Sequence, residues 1–199
     1  HYGGGRSAAG NNLILDEIHT PTAWVPRRMA PLVFVGTIAT HLFGGSAGRE
    51  GTAIQMSGSL TDVVARALRL GPDHRRLLLI AAIAGGFGSV FGVPLAGAVF
   101  ALEVQSIGRL RYDALVPALA ASVVGDQVVR LLDVEHLPTP VVGSVDLTAG
   151  LALKLAAAGV AFGLCATAFA ALTHALKALF ASRVGWPPLR PVVGGVLVI

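Results

Sequence analysis

Glu50 is the residue of this chain best placed to do chemistry. It stands in "HLFGGSAGREGTAIQMSGSL" (residues 41–60), where an apolar run meets a series of glycines, passes Arg49 and Glu50, and turns apolar again. Two readings are open. In one, Glu50 is a loop carboxylate paired with Arg49. In the other, the flanking runs put the turn at membrane depth or at its outer mouth, where an ionisable side chain is costly and therefore functional by default. A helix start favours the charged carboxylate through its dipole, while a low dielectric favours the neutral acid. A group under both influences can switch. Charged, it competes with an anion at the same place; protonated, it can swing aside.

The other polar groups sort around it. Asn11 and Asn12 open the run in "AAGNNLIL" (8–15). Asparagine caps helix starts, and its amide N–H2 can also donate to an anion; the two roles are compatible. A nucleotide phosphate loop needs Gly-Lys-Ser/Thr where Arg49-Glu50-Gly51-Thr52 stands, and a carboxylate facing phosphate would repel it. "GGFGSVFG" (85–92) lacks the GxGxxG spacing, and "DEIHTP" (16–21) lacks the HExxH spacing for zinc. His41, His174 and the other histidines form no ligand set, and the lone Cys165 makes neither a disulfide framework nor a metal site. No Ser-His-Asp or Cys-His arrangement is visible. The sequence therefore predicts no metal, no cofactor and no enzyme. Ser57, Ser59 and Thr61 are expected to pack helices, and Lys154 and Arg130 to extend toward the interface.

The elements that must position these groups are membrane elements. Of 199 residues, 54% are hydrophobic and 13% charged, and the mean hydropathy is +0.71. Soluble domains carry about 25% charge. Apolar runs cover 29–47, 52–68, 77–104, 114–132 and 147–181. Of the loops between and after them, 24–28, 69–76, 108–111 and 182–190 carry arginine, whereas 133–146 carries Asp133, Glu135 and Asp146 and no Lys or Arg. The positive-inside rule puts the four basic loops in the cytoplasm and the acidic one outside. The net charge of +4 is thus explained by topology, without nucleic acid. The chain begins on His1 and ends in the apolar "PVVGGVLVI", which predicts an internal piece of a longer membrane protein.

Two runs do not fit simple spans. Run 77–104 begins and ends on the basic side, yet two full crossings need about 40 residues. Its middle, "GGFGSVFGVP" (85–94), predicts two short helices meeting within the membrane, with Pro94 in the first turn of the second. Run 147–181 is too long for an upright span and predicts a steep tilt or a break. Bare backbone survives at membrane depth only where protein or an aqueous cavity covers it. Helix starts aimed there present N–H groups and a positive dipole end to an anion. Three Gly-rich starts, near residues 10, 48 and 92, predict an anion pathway.

These motifs resemble the CLC family of chloride channels and anion/proton antiporters. "GREGTAIQMSGSL" followed by "GGFGSVFGVPLAGAVFALEV" is similar to the family's Gly-Arg/Lys-Glu-Gly-Pro signature and its downstream Pro-Leu-Ala-Gly-x-x-Phe helix. The likeness runs from about Gly10 to the chain end. Where the family has Gly-Ser-Gly-Ile-Pro, this chain has Gly10-Asn11-Asn12-Leu13-Ile14, and Thr52 replaces the proline of the second motif. Both departures are similar to the bacterial branch that exports fluoride in exchange for protons.

The resemblance implies an all-α membrane fold of CLC-like inverted repeats with broken and tilted transmembrane helices, here incomplete. Residues 1–132 would form most of the first repeat without its opening helices, 133–146 an extracellular loop, and 147–199 the truncated start of the second. It implies that Glu50 is the gating and proton-carrying glutamate. Asn11 would contact a central anion, with Asn12, Gly48, Arg49, Gly51 and Thr52 around the anion sites. The inner glutamate of many chloride/proton antiporters aligns with Val104. Glu103 stands one position early, about 100° around the helix, and should not substitute for it. The expected function is fluoride export coupled to proton import. The alternatives are a chloride transporter, an uncoupled chloride channel of the same family, or a non-conducting membrane scaffold subunit. Expected partners are a small anion, membrane lipid and a second copy in a homodimer. The expected location is the bacterial inner membrane, crossed several times.

Overall fold

The computed structural model describes residues 5–105, 111–134, 143, 146 and 148–198; Glu135, most of the acidic loop and residues 108–110 of one basic loop lie outside them. The regular structure of the described residues is helical: α1 Asn11–His19, α2 Met29–Leu42, α3 Arg49–Ala67, α4 Pro72–Phe91, α5 Pro94–Glu103, α6 Leu115–Leu131, α7 Ala149–Arg183 and α8 Leu189–Val198. Short 3₁₀ turns, Gly5–Ala9 and Tyr112–Ala114, precede α1 and α6. The chain forms two compact units, His1–Pro138 and Thr139–Ile199.

In the first unit α4 is the hub, packed against α3, α5 and α6. Glycines and small side chains set how near these helices come. A Cβ on Gly86 would lie 2.8 Å from Ser57 Oγ on α3, and one on Gly85 would lie 3.2 Å from the Ala121 carbonyl on α6. One on Gly97 of α5 would lie 2.8 Å from the Gly88 nitrogen. The break expected within 85–94 falls at Gly92 and Val93, while Gly85, Gly86 and Gly88 sit inside α4 as contact points. Gly92 adopts a left-handed φ of 67°, and Pro94 opens α5. Phe87 then stacks on Phe100 of α5 at 4.3 Å between ring centroids. Ser57 and Ser59 do pack helices: Ser57 Oγ donates to the Ala82 carbonyl at 2.8 Å, and Ser59 Oγ to that of Pro26 at 2.9 Å.

A buried ion cluster ties α1, α3 and α4 together. Arg75 was expected in a basic loop, but α4 already begins at Pro72, and Arg75 is only 5% exposed. Its guanidinium makes a two-pronged pair with Asp62 on α3, Nε to Oδ1 at 2.6 Å and NH2 to Oδ2 at 2.8 Å. It also donates to Glu17 on α1 at 3.2 Å. Glu17 and Asp62 are 2% and 1% exposed. Their remaining lone pairs are filled: Glu17 accepts from Arg6, Thr22 and Ala23, and Asp62 accepts from the Val25 N–H at 2.6 Å. Arg130 pairs with Asp126 one turn earlier at 2.8 Å while its side chain stays largely exposed.

In the second unit α7 is one unbroken helix of 35 residues, so of the two expectations, a steep tilt or a break, the break is absent. At 1.5 Å per residue it is ~52 Å long, against a bilayer core of ~30 Å. Its best window has a mean hydropathy of 2.0, and none of its residues is buried. Thr148 Oγ1 caps its start by accepting from the Leu151 N–H.

Two stability outcomes follow for the full-length protein. Gly97→Ala forces a methyl into the Gly88 backbone and should cost about 1–3 kcal/mol, seen as a lower melting temperature in detergent. An unchanged midpoint would show that α4 and α5 do not approach this closely. Arg75→Gln strands two buried carboxylates and should cost about 3–5 kcal/mol. Combining it with Glu17→Gln and Asp62→Asn should recover part of that loss; a triple variant worse than Arg75→Gln alone would contradict the shared-cation arrangement.

Candidate functional site

The turn between α2 and α3 is built to deliver Glu50 to a helix start. α2 ends at Leu42, earlier than the expected 47, because the chain reverses through Gly44 at a φ of 78°. The Gly44 N–H donates to the His41 carbonyl and the Gly45 N–H to that of Thr40, a left-handed helix stop that favours glycine. The chain then extends to Gly48, and α3 starts at Arg49, three residues before the expected boundary. Glu50 consequently lies in the first turn of α3, not in a loop. Thr52 is one residue-pair further in. Its Oγ1 donates to the Gly48 carbonyl at 3.2 Å and shares a 3.0 Å hydrogen bond with Thr37 Oγ1 of α2.

α1 begins in a comparable way. Gly10, at a φ of 62°, precedes Asn11, and neither this start nor that of α3 carries a side-chain cap. The first N–H groups of a helix have no partner within it. At α1 the Gly10 N–H donates to the Ser7 carbonyl and the Leu13 N–H to that of Gly10, which leaves the Asn11 and Asn12 N–H groups, and at both starts glycine offers no side chain to fill what remains. Asn11 is therefore not the cap that its residue type allowed.

The two starts meet. A Cβ on Gly51 would lie 3.3 Å from Asn11 Nδ2, and one on Gly10 would lie 3.4 Å from Gln55 Nε2. Gln55 Nε2 donates to Asn11 Oδ1 at 3.0 Å. With its oxygen occupied, Asn11 presents its N–H2 group toward Gly51 and the start of α3. Gln55 was not singled out in the sequence. Its place four residues after Gly51, on the same face of α3, is the signal that could have found it. Beneath Asn11 is a cavity of about 40 Å³ lined by Leu15, Ile54, Ile83, Phe100 and Val104.

Glu50 is exposed in this chain, and its carboxylate folds back over Gly48: a Cβ there would be 2.7 Å from Glu50 Oε2. It makes no ion pair with Arg49 among the described residues, so the loop-pair reading fails. Arg49 and Asn12 are exposed and make no side-chain hydrogen bond among the described residues. The third expected helix start does not join the cluster. α5 approaches Asn11 with its far end, Phe100 and Val104, whereas Val93 and Leu95 at its start are exposed. Glu103 is exposed and does not line the cavity that Val104 lines, as the one-residue offset requires.

The model of the voltage gated chloride channel family matches residues 2–199. The chain is similar to a chloride/fluoride channel protein of Pseudomonas syringae pv. tomato, with 49% identity over 190 residues, covering 96% of this chain and 42% of that protein. It is 33% identical over 100 residues to the H(+)/Cl(-) exchange transporter ClcA of Klebsiella pneumoniae, covering 50% of this chain and 20% of that one. A solved crystal structure of a CLC-type fluoride/proton antiporter matches with a TM-score of 0.91 and 36% identity, covering 98% of this chain and 49% of that chain. The chain thus spans half or less of the length of these relatives.

Proposed function

The chain belongs to the voltage-gated chloride channel (CLC) family, and from that membership we propose that its parent protein exports fluoride across a cell membrane in exchange for protons. The observation that carries the reading is the meeting of Asn11 with Gly51 where two uncapped helices begin, one residue from Glu50. Fluoride is small and strongly hydrated, so a site must replace its water with several close donors. The uncovered N–H groups of α1 and α3 and the Asn11 amide are such donors, and a low dielectric strengthens each. The likeness to the chloride/fluoride protein and to the antiporter supports fluoride as the cargo.

In the proposed cycle Glu50 takes a proton from outside and leaves the anion path. An anion then passes outward, and the side chain delivers its proton inward and returns as a carboxylate. Gly48, over which the carboxylate now lies, has no side chain to obstruct this swing. Gln55 fixes the direction of the Asn11 amide, and Thr37 holds Thr52 beside the gate. The likeness to the exchange transporter ClcA favours one second reading, a chloride/proton exchanger of the same family.

Both readings are separable in liposomes containing the full-length protein. A fluoride gradient should drive protons, and a chloride gradient should do so far less; the opposite order establishes the second reading. Glu50→Gln should abolish fluoride-driven proton movement, and coupling retained at the wild-type ratio would remove Glu50 from the mechanism. Gln55→Glu should accept from Asn11 Nδ2 and turn the amide oxygen toward the anion. Losing a donor to a charged ligand costs about 1.5–3 kcal/mol, or roughly 10- to 150-fold in fluoride affinity. Fluoride binding equal to wild type by calorimetry would show that the orientation of Asn11 does not matter.

A further inference from the structure

We propose that the recess between residues 26–28 and the C-terminal end of α3 is a binding site for a phosphate group. It has a volume of about 400 Å³ and is lined by Pro26, Arg27, Arg28 and Arg66. It is a shallow recess open to the surface, with room for a headgroup-sized anion. It is remote in role from the Glu50 cluster, and nothing in the proposed transport cycle uses it.

The recess is cationic without an internal counter-charge. Among the described residues none of Arg27, Arg28 and Arg66 forms an ion pair. The two buried carboxylates of the adjoining helices are already committed. Asp62, one turn before Arg66 on α3, is filled by Arg75 and the Val25 N–H. Glu17 is filled by Arg6, Arg75 and the Ala23 N–H. Three arginines thus line one recess, and among the described residues none of them is paired with an acid.

The recess is also held in shape, which a merely topological set of arginines would not require. Segment 23–26 is fixed to the buried ion cluster through the Ala23 and Val25 N–H groups. The Ser59 hydroxyl grips the Pro26 carbonyl at 2.9 Å. Trp24 meets two guanidinium groups: Arg66 lies 4.9 Å and Arg75 4.7 Å from the ring centroid. Arg75 is held in its ion cluster, and the ring that it contacts also carries Arg66, which lines the same recess as Arg27 and Arg28. Arginine forks match the oxygen geometry of phosphate, and the anchored backbone of 23–26 with the Trp24 contact of Arg66 lowers part of the ordering cost of binding. Both sources of phosphate are at hand on the basic side of the chain: the anionic headgroups of the cytoplasmic leaflet and soluble phosphates.

The test uses full-length protein in detergent, titrated with phosphatidylglycerol and followed by native mass spectrometry. The variant is Arg27→Gln/Arg28→Gln, because neither side chain makes a bond within the fold among the described residues. Wild type should bind one phosphatidylglycerol at least tenfold more tightly than the variant, while both carry fluoride equally in liposomes. Arg27→Lys/Arg28→Lys keeps the charge and loses the forks, and should also bind more weakly than wild type. Displacement of the lipid by millimolar inorganic phosphate assigns the site to a soluble phosphate; persistence of the lipid assigns it to a headgroup. Equal lipid binding by wild type and the Gln variant, or no difference between wild type and the Lys variant, overturns the proposal.

Discussion

Arg75 resolves a problem that α1 and α3 create by packing together. Each brings a carboxylate into the interior, Glu17 and Asp62, and neither could remain charged there without a partner. One guanidinium from the first turn of α4 answers both. Its planar fork can face Asp62 with two donors and still reach Glu17 with a third, a geometry that a lysine ammonium lacks. The arrangement fixes α1 against α3, and that placement brings Asn11 to Gly51 and Gln55 at the other end of α1. The cluster therefore acts on the candidate site from a distance, by setting where two helix starts meet.

Close approach is the second constraint. Within lipid, helices gain little from hiding apolar side chains from one another, so shape and hydrogen bonds decide their packing. Gly85, Gly86 and Gly88 let α4 lie against α6, α3 and α5 with backbone atoms nearly in contact. Large apolar side chains are exposed as well, among them Phe34, Val35 and Leu42 on α2, and Val116, Val124 and Leu131 on α6, while Ile14, Ile18, Leu79, Ile80 and Ile83 fill the core. An apolar exterior around an apolar core fits an all-α membrane protein of the CLC fold.

The two uncapped helix starts depend on both constraints. Glycine at positions 10 and 48 removes the side chains that usually satisfy the first turn, leaving donors without partners. An empty donor set is costly unless something else fills it. Asn11, turned by Gln55, adds another donor to the same place. The neighbouring carboxylate of Glu50 is the one group there of the opposite character, and it rests over Gly48, where no side chain interferes.

Several of these features are local, and for that reason the sequence by itself determined them. The apolar runs, the Gly-rich starts at 10 and 48, the acidic residue beside the second start, and Pro94 as the opening of α5 are all matters of composition and dihedral preference. So is the one-residue offset that turns Glu103 away from the cavity Val104 lines. What only the tertiary structure decided is which groups meet. Arg75 reads as one more loop arginine until α1 and α3 bury carboxylates against it. Gln55 reads as a helix-surface amide until Asn11, 44 residues earlier, comes within 3.0 Å. The glycines from 85 to 92 read alike as a helix break because glycine weakens a helix, yet packing against three neighbours keeps α4 continuous until Gly92, the one at which it ends. The physical reason is the same in each case: a dihedral preference belongs to one residue, whereas burial, pairing and close contact belong to pairs of residues that the fold alone brings together.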